Sequence, residues 1–245
     1  MSSRPFALQL YTVREQLDAD FAGTVRRVKE IGYDAAELAG FGGHTPDEAA
    51  AMLADAGLTV TSSHFGLDQI AGEPGAVLEV LGVLGTSYAV VSAGAPDEEG
   101  WRQVAEKLAL GGAALHDAGC TLCYHNHAHE FGRIGDRYIL DYLLEETEDA
   151  HVAAEIDTYW VRDGGEDPVA LIRKYAGRCP LLHVKDMTPG EPHTFAEVGQ
   201  GVIDWAPIFT AAGEAGVKWY IVEQDRCAGD PVDSARISAD FMAAQ

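Results

Sequence analysis

The run Leu122-Cys123-Tyr124-His125-Asn126-His127-Ala128-His129-Glu130-Phe131 is apolar where it begins and crowded with imidazoles and a carboxylate where it ends. It reads as a β-strand emerging into a polar loop. Side chains alternate across a strand, so His125 and His127 point the same way if the strand extends that far. Imidazoles and a carboxylate converging at a strand end are natural donors for a divalent metal. The question is whether other strands deliver partners to the same place.

Outward from this stretch a module recurs: a helical pattern, a glycine near its end, then a short apolar run. Ile31-Gly32, Ala56-Gly57, Ala118-Gly119 and Ala215-Gly216 each stand just before such a run, and glycine there suits the left-handed residue that ends a helix. The pattern predicts strands over 6–10, 34–38, 59–64, 88–92, 121–125, 152–156, 181–184 and 219–223. It predicts helices over 21–30, 46–56, 76–84, 101–117, 140–146, 169–175, 205–215 and 232–244. Thr45-Pro46-Asp47-Glu48 opens the second helix as a capping box with proline at its first position. Eight strands alternating with eight helices in roughly 250 residues is the arithmetic of an α/β fold of the (β/α)8 TIM-barrel type, a single domain over residues 1–245. A doubly wound sheet shares the alternation, but no G-x-G-x-x-G follows the first strand.

Composition narrows the function. The 245 residues are 47% hydrophobic, with no apolar run of the length a membrane span requires. Met1-Ser2-Ser3-Arg4-Pro5-Phe6 passes into a strand-like run without a signal-peptide core, so a cytoplasmic location is expected. A net charge of −22, from 39 acidic and 17 basic residues, repels a phosphate backbone and argues against nucleic-acid or anionic-membrane partners. Cys120 and Cys123 are spaced C-x-x-C, but an offset of three on a strand puts them on opposite faces, which fits buried thiols better than a redox or zinc pair.

Function in a TIM barrel collects at the C-terminal ends of the strands. Those ends carry Gln9 and Tyr11; Glu37; His64; Ser92; His125, His127 and Glu130; Asp157; His183, Lys185 and Asp186; and Glu223 and Asp225. Glu130, Asp157, His183 and Glu223 come from the fifth to eighth strand ends. Three carboxylates and an imidazole make an oxygen-rich cage for Mn²⁺, Mg²⁺ or Co²⁺, with Zn²⁺ also compatible. Taken singly, each member has a plainer reading: Asp157 as a helix cap, His183 as a core histidine, Glu37 as the partner of a neighbouring base. His129 is the expected bystander of its cluster. The joint arrangement is what points to chemistry.

Several motifs now occur in a telling order: Gln9-Leu10-Tyr11-Thr12-Val13-Arg14, Gly32-Tyr33-Asp34-Ala35-Ala36-Glu37-Leu38, Tyr124-His125-Asn126-His127 through Glu130-Phe131, Asp157-Thr158-Tyr159-Trp160, His183-Val184-Lys185-Asp186, Val198-Gly199-Gln200-Gly201 and Glu223-Gln224-Asp225. With these the chain resembles the xylose-isomerase-like TIM-barrel superfamily, in its sugar phosphate isomerase/epimerase group, from about Phe6 to Asp225. The resemblance implies a divalent-metal centre of Glu, Asp, His and Glu at the ends of strands five to eight. Asp157, His183 and Glu223 match the last three. At the first position this chain has Tyr124-His125-Asn126, so either His125 replaces the usual glutamate or Glu130 folds back from the loop. The His-for-Glu departure is similar to inosose dehydratases and some enzymes of 3-keto-sugars.

The leading expectation is an isomerase or epimerase of a sugar, keto-sugar or cyclitol working through a metal-bound enediolate. Glu223, Glu130 or His127 would move protons, Lys185 and Glu37 would orient hydroxyls, and His64, Tyr11 and Trp160 would line the substrate site. A dehydratase or 3-keto-glycoside lyase keeps the enediolate and expels a β-substituent. An apurinic endonuclease shares the barrel but wants a basic face, and a non-catalytic sugar-binding subunit has no need of the carboxylate cage. Gly199-Gln200-Gly201 is a candidate phosphate loop or a plain turn. The partner expected is a small sugar or polyol, and the chain is a monomer or homodimer.

Overall fold

The computed structural model describes residues 5–245. Eight parallel strands close into a barrel: β1 (Phe6–Gln9), β2 (Ala35–Leu38), β3 (Thr59–His64), β4 (Tyr88–Val91), β5 (Thr121–His125), β6 (Ala153–Asp157), β7 (Leu181–Val184) and β8 (Trp219–Val222). Each pairs with the next in the chain, and β8 closes on β1 through Phe6 opposite Tyr220. The expected strands are all present, and those over 59–64, 121–125 and 181–184 match to the residue.

The outer ring contains α2 (Phe21–Glu30), α3 (Pro46–Ala56), α5 (Pro74–Leu84), α6 (Glu98–Asp117), α7 (Ile139–Glu146), α9 (Pro168–Lys174), α10 (Trp205–Ala215) and α11 (Pro231–Ala243). Thr45 and Glu48 form the reciprocal capping box, and α3 and α10 end on Gly57 and Gly216 at φ 78° and 83°, where only glycine avoids a Cβ penalty. The periodicity missed three helices of six residues each: α1 (Arg14–Ala19), α4 (Leu67–Gly72) and α8 (Thr158–Asp163). One and a half turns hold too few residues for a periodic face to register.

Alternation sorts every strand into two faces. Leu8, Ala36, Leu122, Ile156, Leu182 and Val222 point outward into the layer shared with the helices. Ala7, Ala35, Val90, Cys123, Ala153, Leu181 and Ile221 point inward and fill the lower barrel with small and branched apolar groups. Cys120 packs against the outer layer and Cys123 lies inside, and all four cysteines are free thiols. One irregularity interrupts the ladder. Ala36 pairs with Val60 but Glu37 pairs with Ser62, so Thr61 is an extra residue in β3. Among the described residues no helix is long and apolar enough to cross a membrane.

Candidate cation centre and substrate pocket

One pleat above the apolar floor the same inward positions turn polar. Cys123 is followed at i+2 by His125, Ala153 by Glu155 and then Asp157, Leu181 by His183, and Ile221 by Glu223. Strand register sets them at nearby heights: His125 lies opposite Glu155, Asp157 opposite His183, and His183 opposite Ile221. Period-two geometry, applied to four neighbouring strands, therefore builds a ring of buried donors.

His125, Asp157, His183 and Glu223 each offer a donor atom within 4.8 Å of the others, and all four are buried. His183 Nδ1 lies 2.9 Å from Glu223 Oε2 and 3.6 Å from Asp157 Oδ2, and His125 Nε2 is 4.0 Å from that same oxygen. Asp157 Oδ2 accepts no well-aligned hydrogen bond, although the Lys185 ammonium stands 2.9 Å away. Two carboxylates and two imidazoles converging on one point, with an oxygen left unsatisfied, fit a divalent first-row cation. Asp157 Oδ1 meanwhile accepts the Trp160 N–H at 2.9 Å and caps α8. Helix cap and candidate ligand are the same side chain.

A second group, Glu37, His64, Glu155 and His183, lies beneath and shares His183. Glu37 Oε1 accepts from Gln9 Nε2 at 2.6 Å, with His183 Nε2 at 2.8 Å and His64 Nε2 at 2.9 Å, while Ser62 Oγ donates to Oε2. Burial would raise the Glu37 carboxyl, but the His64 and His183 charges hold it well below its ordinary range. Burial works the other way on the rings, yet Glu37 and Glu155 lift His64 to about 10, and Glu155, Glu37 and Glu223 hold His183 well above its ordinary value. His125 has no such carboxylate excess. Burial, with the neighbouring His183 charge, holds it well below the ordinary histidine value.

Lys185 is buried, with its ammonium 2.6 Å from Glu223 Oε2, 2.8 Å from Asp225 Oδ1 and 2.9 Å from Asp157 Oδ2. Burial opposes its charge, but three carboxylates overcome that and raise it. Burial pushes Asp225 up to about 6, helped by the Glu223 charge.

Above the ring opens a cavity of about 690 Å³ lined by His64, His125, His127, Lys185, Glu223 and Asp225, with Tyr159, Trp160, Phe195 and Tyr11 supplying aromatic surface. The exposed Tyr11 ring carries the Arg14 guanidinium 4.1 Å from its centroid. His127 and Trp160 meet at 5.4 Å between centroids, and His127 Nδ1 and Trp160 Nε1 are both buried without a hydrogen-bond partner.

Three sequence expectations change. Glu130, expected as ligand and proton carrier, is fully buried but turned away from the ring: its carboxylate accepts the Tyr124 hydroxyl and the His127 N–H, each at 2.8 Å. The reason is local, because residues 129–131 form a 3-10 turn whose carboxylate ties down its own loop. Glu37, expected to orient substrate hydroxyls, lies below the pocket rather than on its wall. The N–H groups of Gly199 and Gly201 donate to Asp186 Oδ2 at 2.9 and 3.2 Å, so that loop is turned inward and not toward a phosphate. His129 is half-exposed beside Ala93 O and Glu130, outside the ring as expected. The residue the sequence reading missed is Glu155. Its signal was a glutamate inside Ala153-Ala154-Glu155-Ile156-Asp157, two residues before Asp157 and so on the same face.

The model describing the xylose isomerase-like TIM barrel matches residues 25–245. An inosose dehydratase of Clostridium beijerinckii is 28% identical over 165 residues, covering 60% of this chain and 55% of that protein. One from Geobacillus kaustophilus is 26% identical over 87% of this chain and 83% of its own length. In its match to the Clostridium protein the chain spans about half the length of that relative. A sugar phosphate isomerase/epimerase structure from Parabacteroides distasonis is 26% identical, with a TM-score of 0.84 over 100% of this chain and 95% of the other. Barrel, motifs and inward-facing site agree: the chain belongs to the xylose isomerase-like TIM barrel family.

Proposed function

We propose that this chain is a divalent-cation-dependent carbon–oxygen lyase that removes water from a keto-polyol of the inosose kind. The observation that carries the reading is the identity of the fourth donor: His125, not Glu130, joins Asp157, His183 and Glu223. In the sequence that departure resembles inosose dehydratases, and both named curated relatives are inosose dehydratases.

A cation held by these four residues would supply Lewis-acid polarisation of the substrate carbonyl. Two imidazoles among the donors favour Mn²⁺, Co²⁺ or Zn²⁺ over Mg²⁺, which prefers an all-oxygen shell. His127, whose basicity burial lowers, lines the cavity and takes the proton from the carbon next to the carbonyl. The C–H pair forms the new C=C bond, the β C–O bond breaks, and the imidazolium returns its proton to the departing hydroxyl as water. Lys185 holds its proton too tightly to act as a base. Its fixed ammonium instead offsets negative charge growing on the substrate oxygen. Trp160 offers its ring to a C–H face of the substrate.

The Parabacteroides structure, 26% identical across the whole chain, favours a second reading as a sugar isomerase/epimerase. Proton removal is common to both, and only the fate of the electron pair differs. Incubating the Mn²⁺- or Co²⁺-supplemented protein with inosose in D₂O and following proton NMR and ultraviolet absorbance separates them. Olefinic signals with rising absorbance support the lyase. Deuterium uptake or an epimer without absorbance supports the isomerase, and neither change defeats both.

A further inference from the structure

We propose that Glu37 and Glu155 are positioning residues: a lower tier of carboxylates that fixes the tautomer and tilt of the two imidazole ligands, His183 and His125. The inference rests on reading His125, Asp157, His183 and Glu223 as the cation site.

Each ring is strung between two carboxylates of different height. His183 places Nε2 2.8 Å from Glu37 Oε1 below and Nδ1 2.9 Å from Glu223 Oε2 above. His125 places Nδ1 3.2 Å from Glu155 Oε2 below and Nε2 4.0 Å from Asp157 Oδ2 above. An imidazole has one lone pair to give a metal only if its other nitrogen keeps the proton. Glu37, by accepting the His183 Nε2–H, leaves Nδ1 as the lone-pair nitrogen on the ring of donors. Glu155 does the same for His125 in mirror image, leaving Nε2. The His125–Glu155 contact is close in distance and imperfect in angle, and neither Glu155 oxygen has a well-aligned hydrogen bond. Its surroundings are three imidazole nitrogens, of His125, His64 and His183, at 3.2 to 3.4 Å.

The lower group does not itself read as a second cation site. An ion there needs the His183 Nε2 lone pair, which exists together with an Nδ1 lone pair only if the ring gives up its last proton. Glu37 Oε1 is also already occupied by Gln9 and faced by two histidine nitrogens. His64 instead bridges the tier, with Nε2 2.9 Å from Glu37 Oε1 and 3.4 Å from Glu155 Oε2. Carboxylates that accept the outer N–H of a ligand histidine orient the ring and raise its basicity, and losing one typically weakens metal affinity 10- to 100-fold.

The test uses the full chain as wild type, Glu155→Gln, Glu155→Asp and Glu37→Gln. Metal analysis gives Zn²⁺ and Mn²⁺ per chain, calorimetry gives affinity, and long-range ¹H–¹⁵N NMR of the Zn²⁺-loaded protein gives the histidine tautomers. Expected are one ion per wild-type chain, His183 protonated at Nε2, and His125 protonated at Nδ1. Affinity should fall about 10- to 100-fold in both glutamine variants, with partial recovery in Glu155→Asp. If Glu37→Gln does not fold, Glu155→Gln carries the test. Two ions per chain, unchanged affinity, or the opposite tautomers overturn the proposal while leaving the cation site standing. No ion in wild type overturns the cation site and this inference together.

Discussion

Replacing Asp186 by asparagine isolates what one buried carboxylate contributes to the rim of this barrel. Its Oδ2 accepts the N–H groups of Gly199 at 2.9 Å and Gly201 at 3.2 Å and the Trp205 indole at 3.0 Å. Its Oδ1 accepts Met187 N–H at 2.8 Å and Ile203 N–H at 3.1 Å. An asparagine matches the shape but must set an NH₂ where one oxygen was, and the cheaper choice is Oδ1, opposing two donors instead of three. Two donors left unsatisfied at about 1–3 kcal/mol each, one of them only partly buried, cost about 3 kcal/mol. The three bonds that survive lose their charge assistance, adding roughly 1 kcal/mol. A total of about 4 kcal/mol lowers the midpoint of a chain this size by roughly 10 °C. Urea unfolding followed by circular dichroism, with a parallel thermal melt, reads both numbers. An asparagine variant within about 1 kcal/mol of wild type would refute the claim that this carboxylate organises the loop after β7.

Gly201→Ala should fail in the same assay, because a Cβ there would stand 2.2 Å from Asp186 Oδ1 and 2.4 Å from Met187 O; full stability in the alanine variant would mean the loop has slack. Glu130→Gln should keep one bound ion per chain, whereas His125→Gln and Asp157→Asn should lose it in metal analysis. Asp157→Asn keeps an oxygen for the Trp160 N–H, so Asp157→Ala should be less stable by about another 1 kcal/mol in urea. His193 should titrate above the ordinary histidine range, because Asp163 accepts its Nε2–H at 2.7 Å and Glu191 lies 3.3 Å from Nδ1. Its folded value is raised, so its contribution is complete below about pH 6.5 and is lost as pH rises through the raised value. An NMR titration in which Asp163→Asn leaves His193 unmoved would contradict this.

The barrel was legible because its punctuation is local: Gly57 and Gly216 end helices by their own backbone freedom, and the Thr45–Glu48 box needs only four residues. Asp157, His183 and Glu223 were legible as a set because parallel strands bring their ends together whatever the loops do. Glu130 misled because nearness in sequence to His125 and His127 says nothing about where a loop turns, and this carboxylate, five residues past the strand end, binds the backbone of its own loop instead. Glu155 was hidden by its setting. Flanked by alanine and isoleucine, it reads as an interruption of an apolar strand until the barrel supplies an interior in which a buried carboxylate has three imidazoles for company. Glu37 was found but misplaced in height, since no sequence pattern distinguishes the wall of a pocket from the layer beneath it.

The extra residue in β3 decouples the architecture from the chemistry. Val60 faces the helices, and uninterrupted alternation would turn Ser62 and His64 the same way. With Thr61 inserted, both instead face the axis, Ser62 against Glu37 and His64 between Glu37 and Glu155. Deleting Thr61 would restore a regular ladder while rotating the top of the strand by half a turn, taking His64 out of the barrel. A single residue would thus separate two barrels alike in outline: one with a bridged carboxylate layer under its donors, and one without His64 in that layer. Length differences of one residue within this strand are where divergence of site within a constant barrel is to be sought.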